Sequence, residues 1–272
     1  MDSYVSALND IVFKALFVHN EGVLRGFLRD VLDLPITARD EVKIQNPELI
    51  PDEAGGKMSR LDIRVGLAYR KFIIELHARR EDFYSDRALY YWAEMYGDKF
   101  PSGGKYLDLQ QTYSVNVLGF NVYDCPNYHS DFAILERTRQ ELFCDKLSIH
   151  VFELQKVPKE LIEGDKAQKW MELIKAETAE ELEMVRETTD NPDVLSGVDT
   201  LLKINADDQL RERIFDREKA LRDYGNDIAV AESRGRDVGR AEGRIEGRNE
   251  ILENMRKCGF TEAQIQMALG AA

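Results

Sequence analysis

The stretch SRLDIRVGLAYRKFIIELH, residues 59–77, constrains the fold more than any other part of the chain. It reads as two short strands around a bend near Ala68 and Tyr69, with Gly66 as a candidate bulge. Side chains alternate across a strand, so Leu61, Ile63, Val65 and Leu67 share one face with Phe72, Ile74 and Leu76 once the strands pair as a hairpin. Those apolar rows must point into a core. That leaves Asp62, Arg64, Ile73, Glu75 and His77 on the opposite face, with Asp62 across from Glu75. Like charges directly opposite each other destabilise a sheet. The repulsion can be relieved in three ways: a proton on one carboxyl, an arginine such as Arg60 or Arg64, or a divalent cation between the acids.

Around this hairpin the pattern alternates between helix and strand. DIVFKALFVHNEGVLRGFLRDVLDLP carries apolar residues at helical spacing and is expected to break into two helices at Asn20–Gly22, with Pro35 ending the second. DEVKIQNPEL, SRLDIRVGL and KFIIELHA are strand candidates. DFYSDRALYYWAEMYGDKF reads as a helix, with Tyr90, Tyr91 and Trp92 expected in the core. TYSVNVLGFNVY is a further strand, and SDFAILER with KLSIHVFEL is a strand pair. Strands are not expected beyond Pro158. Helices are expected around 166–176, 179–187 and 207–233, with breaks at NPDV and near Gly197. Glycines then recur every four residues at 235, 239, 243 and 247. This tract is either a helix with a smooth stripe for self-association or a charged spacer. A helical hairpin turning at Gly259 closes the chain, its second helix capped by Thr261. The expected division is 1–157, a first α/β domain; 158–233, an acidic helical region; and 234–272, the glycine-spaced tract with the terminal hairpin.

Three cysteines, far apart, argue for a reduced protein rather than a disulfide scaffold or a CxxC metal site. No secretory signal or apolar run of bilayer length is expected, which points to the cytoplasm and away from membranes. The net charge of -13 excludes a generic nucleic-acid coat. The charge is uneven, however: residues 57–80 hold seven bases and two acids, while 160–193 hold eleven acids and four bases. The first of these could attract an anionic polymer even within an acidic chain.

The order Asp, then Glu on the next strand, resembles the PD-(D/E)XK nuclease superfamily. NDIVFKALF at 9–17, SRLDI at 59–63, IIELH at 73–77, DRALYYWAEMY at 86–96, GGKY at 103–106 and SVNVLGF at 114–120 together resemble the Rpn family of recombination-promoting nucleases, over roughly residues 4–155. The resemblance implies an α/β fold of restriction-endonuclease type: a mixed sheet flanked by helices, with an α-helical C-terminal region. It implies a metal-dependent endonuclease acting on DNA and linked to recombination or mobile elements. Asp62 and Glu75 would hold Mg²⁺ (or Mn²⁺), with Asp10 as an accessory ligand. Lys14, Arg60, Arg64 and Arg87 would meet phosphate. Tails like this one occur in the family, and the C-terminal helices would serve a homo-oligomer.

His77 departs from that pattern, because the superfamily expects lysine there and Rpn-like members usually have glutamine. Histidine is shorter and only partly charged at neutral pH, yet it can orient a water or accept its proton. Two functions are therefore carried forward. One is an active endonuclease with His77 in the catalytic set. The other is a catalytically impaired nuclease fold that serves as a DNA-binding or protein-interaction module.

Overall fold

Six strands make one mixed sheet. They are β1 (Val42–Ile44), β2 (Ile63–Leu67), β3 (Arg70–His77), β4 (Thr112–Leu118), β5 (His129–Phe132) and β6 (Leu147–Glu153), in the spatial order β1-β2-β3-β4-β6-β5. The computed structural model describes residues 4–45, 63–80, 83–98, 100 and 102–270. Strands β3, β4 and β6 run parallel at the centre, and β1, β2 and β5 pair antiparallel at the flanks. The β2–β3 hairpin turns at Ala68 and Tyr69, with φ of 49° and 60°, and Leu67 faces Arg70. Two left-handed residues in a two-residue loop match the twist of the strands they join. The expected bulge at Gly66 is absent: Gly66 pairs regularly with Lys71, because the two-residue turn already sets the register.

The parallel strands β3 and β4 are connected through helix α3 (Tyr84–Gly97), which buries Tyr84, Ala88, Trp92 and Met95 at helical spacing. Trp92 donates its indole N–H to the Thr112 carbonyl at 2.8 Å. Tyr90 was expected in the core but is 64% exposed, because it lies off that buried row. Lys71 Nζ donates to the carbonyls of Met95 and Asp98, both at 2.8 Å, so this cation caps the C-terminus of α3. Tyr84, Ala88, Leu118, Phe120 and Val151 form the apolar cluster between α3 and the sheet.

Helices α1 (Asp10–Val18), α2 (Glu21–Val31), α4 (Gln168–Lys175), α5 (Ala179–Glu187) and α6 (Pro192–Ala206) pack on one another. Asn9 and Asn20 cap α1 and α2 with their side-chain oxygens. Helix α2 ends at Val31, four residues before Pro35, and Asp33 follows with φ 47°. The break expected at NPDV lies between α5 and α6, while α6 corrects the one expected near Gly197. Asn191 is its cap and Pro192 sits in its first turn, where a missing N–H costs nothing. Gly197 lies inside the helix, where a Cβ would come within 2.7 Å of Leu173 Cδ2. The glycine there permits close helix packing and does not break the helix. Asp30 is buried among these helices. It accepts from Trp170 Nε1 at 2.9 Å and Asn191 Nδ2 at 2.7 Å, and it pairs with Arg29 at 2.8 Å.

The outer strand pair carries a chain of polar side chains. Ser148 Oγ donates to Asp131 Oδ1 at 3.1 Å, so its oxygen accepts from His150 Nε2 at 2.7 Å. His150 Nδ1 is then the acceptor for His129 Nε2 at 3.0 Å. Burial pushes His150 down to about 4 and lowers His129 as well, although Asp131 opposes both shifts and Asp165 opposes that of His129. The unfolded histidine titrates near 6.5. The neutral pair therefore stabilises the fold fully above that pH and loses its contribution as pH falls from about 6.5 towards 4. Urea unfolding at pH 5 should show stability roughly 2 kcal/mol below that at pH 7, with much of the difference gone in His150→Gln. Equal stability at the two pH values would contradict this.

The chain divides into two compact units, residues 1–211 and 212–272. The second consists of most of the long helix α7 (Asp208–Lys257) and of α8 (Glu262–Gly270). The glycine-spaced tract is helical throughout, and α7 ends just before Gly259 at φ 86°. Beyond Pro158 no strand occurs among the described residues, as expected. No described helix is long and apolar enough to cross a membrane.

Candidate active site

Glu75 and His77 end the central strand β3, and both are almost fully buried, at 2% and 1% exposure. Residues 73, 75 and 77 share the face covered by α3, so the face assigned to the acids in the sequence is a buried one. His77 Nε2 lies 3.2 Å from Glu75 Oε2, and its ring meets Tyr84 edge-on with centroids 5.1 Å apart. Arg87, one turn further along α3, brings Nη2 to 4.0 Å from the same Oε2 and stacks over Tyr91. Sequence-selected Glu75, His77 and Arg87 are thus brought together. Both side chains approach Oε2. Neither Glu75 oxygen accepts a hydrogen bond among the described residues.

A second buried glutamate shows what a structural acid looks like in this sheet. Glu153, at the end of β6, accepts from the backbone N–H groups of Val122 and Tyr123 and pairs with Lys156 at 2.6 Å. Burying an ionised carboxylate is costly unless donors surround it. Glu153 meets that condition, whereas neither oxygen of Glu75 accepts a hydrogen bond among the described residues.

The other expected site residues are dispersed or differently engaged. Asp62 and Arg60 lie outside the described residues. The last described pair of the hairpin is Ile63 with Ile74, the neighbours in sequence of Asp62 and Glu75. Asp10 opens α1 partly exposed, and Lys14, one turn on, is only 3% exposed. Arg64 pairs with Glu94 of α3 at 3.1 Å. Arg79 and Arg80 follow β3 and are exposed. Among the described residues no group of three or more His, Cys, Asp or Glu converges as a metal site.

Asn116 of β4 was read from the sequence only as part of a strand. It stands beside Glu75 in the parallel register, fully buried. Its Nδ2 donates to Ser114 Oγ at 2.9 Å and to the His150 carbonyl at 3.2 Å. A polar residue at the centre of the apolar run TYSVNVL is the signal that could have found it. At the same end of the sheet Gly119 donates to the His77 carbonyl at 2.9 Å, and a Cβ on Gly119 would meet the Ala78 carbonyl oxygen at 2.8 Å. Glycine is needed for β4 to leave the sheet so close to β3.

The sequence profile of the PD-(D/E)XK nuclease family transposases matches residues 7–231. The chain belongs to that family. The match takes in the whole sheet, α3 and the helices packed beyond it, and the mixed sheet flanked by helices is the α/β fold expected of a PD-(D/E)XK nuclease. No curated protein and no solved structure gives a significant match. Membership supports a nuclease or transposase-like function, and PD-(D/E)XK nucleases generally use divalent metal ions. The residues at Glu75 fit such an ion: a hard cation takes carboxylate oxygens, and Oε1 is buried without a donor among the described residues.

Proposed function

We propose that this chain is a divalent-cation-dependent DNA endonuclease of Rpn type, using Mg²⁺ or Mn²⁺ and serving recombination or mobile elements. The observation that carries the reading is Glu75, a buried carboxylate on a central parallel strand whose oxygens accept no hydrogen bond among the described residues, with His77 and Arg87 beside Oε2. Asp62 and Glu75 would hold the cation, with Asp10 as an accessory ligand. A bound cation polarises the phosphodiester and lowers the pKa of an attacking water. Arg87 neutralises charge beside Glu75 and would meet the phosphate, as would Lys14, Arg60 and Arg64. Arg64 would have to exchange Glu94 for phosphate. Exposed Arg79 and Arg80 supply non-specific attraction for the DNA backbone. His77 is placed to orient a water next to Glu75 and to accept its proton.

Incubation with supercoiled plasmid tests the reading. Nicked and linear products should form with Mg²⁺ or Mn²⁺ and vanish with a chelator. Cleavage that persists in chelator would sink it. The second reading, an impaired nuclease that binds DNA or protein, draws on the packing of His77, which is held under Tyr84 and against Glu75. It is favoured if the wild type is inert and His77→Gln or His77→Lys cuts. It loses if wild type and His77→Gln cut at similar rates.

A further inference from the structure

We propose that the side-chain oxygen of Asn116 is a ligand of the same divalent cation as Glu75, a neutral donor supplied by the neighbouring strand. The inference rests on the reading of Glu75 as a cation-holding residue. Glu75 and Asn116 are direct partners on parallel strands, so their side chains rise from the same face about 5 Å apart at the backbone. The orientation of the Asn116 amide follows from chemistry. The His150 carbonyl can only accept a hydrogen bond, so the edge of the amide turned towards β6 must be its NH₂. Ser114 Oγ, two residues back on the same face, takes the second proton. With the nitrogen fixed on the β6 side, Oδ1 is directed away from β6, towards the β3 side where Glu75 stands.

That oxygen is buried and accepts no hydrogen bond among the described residues. Buried amides in this protein are otherwise well used. Gln168, equally buried, donates through Nε2 to the carbonyls of Pro158 and Glu160 and accepts through Oε1 from Ile162 N–H. Asn116 is held as firmly through its nitrogen, yet its oxygen accepts nothing, and its partner in the register is Glu75, a carboxylate whose oxygens also accept no hydrogen bond among the described residues. Two oxygen acceptors pointed at one region, without donors among the described residues, suit a hard cation, which takes amide and carboxylate oxygens alike. A neutral ligand adds affinity without adding the like-charge repulsion that a third carboxylate would bring.

Mn²⁺ binding to the full chain, followed by the electron paramagnetic resonance signal of the free ion, tests the assignment without reference to cleavage. Asn116→Ala should weaken binding tenfold or more, and Glu75→Gln should abolish it. Wild-type affinity in Asn116→Ala, with binding lost in Glu75→Gln, overturns the role of Asn116 and leaves that of Glu75 standing. Should Asn116→Ala not fold, Asn116→Ser, which keeps a hydroxyl in the strand but withdraws the amide oxygen, decides: wild-type affinity there overturns the proposal. Absent Mn²⁺ binding in the wild type, or equal binding in Glu75→Gln, removes the reading of Glu75 and this inference with it.

Discussion

Glu75→Gln should reduce plasmid cleavage by about 10³-fold, some 4 kcal/mol of transition-state stabilisation, while leaving the fold intact. Glutamine keeps the volume of the side chain in a site that is 2% exposed, so neither a cavity nor a clash is introduced. What changes is charge. The carboxylate that faces His77 and Arg87 becomes a neutral amide, and its NH₂ edge turns either towards those two side chains or into the place of the other oxygen. A cation site loses its anionic anchor in both cases. Gel quantification of nicked plasmid, with circular dichroism to confirm folding, checks the result. Retention of more than a tenth of wild-type activity would show that catalysis does not depend on this carboxylate.

Asp30→Ala should lower stability by roughly 2–4 kcal/mol, because each buried donor left without its acceptor costs about 1–3 kcal/mol. The loss falls on three groups at once: Trp170 Nε1 and Asn191 Nδ2 lose their acceptor, the Arg29 guanidinium keeps only Asp193, and Trp170 is wholly buried. These groups belong to α2, α4 and the cap of α6. The variant therefore loosens the helical layer rather than the sheet. Urea denaturation by tryptophan fluorescence reads it directly, and a change below about 1 kcal/mol would mean that water replaces the carboxylate at little cost.

How much of this was legible in the sequence depended on range. The hairpin turn at Ala68–Tyr69, the alternation that groups Glu75 with His77, and the split between α1 and α2 at Asn20 are local, and they were read from spacing and capping chemistry. Arg87 entered through family resemblance, and the structure sets it against Glu75 by packing α3 on β3. Gly197 misled because its usual meaning is to interrupt, whereas the break at Asn191–Pro192 was read correctly. In α6 each has a use that only a neighbour reveals: Pro192 behind the Asn191 cap, and Gly197 against Leu173. The basic run at 57–80 read as one patch, yet Lys71 is spent on the end of α3 and Arg64 on Glu94. Asn116 carried no local signal beyond being polar in an apolar strand. Its orientation depends on His150, 34 residues away.

The four-residue rhythm of α7 has a physical consequence beyond its glycines. From 240 to 250, arginines at 240, 244 and 248 alternate with glutamates at 242, 246 and 250. Side chains four apart are neighbours on a helix, whereas those two apart are not. Every charged pair at that spacing in the segment is therefore Arg with Arg or Glu with Glu, and all six side chains are exposed. Dissolved ions screen such repulsion over about 10 Å at 0.1 M. Where most surface helices lose a little support as ionic strength rises, this one should gain it.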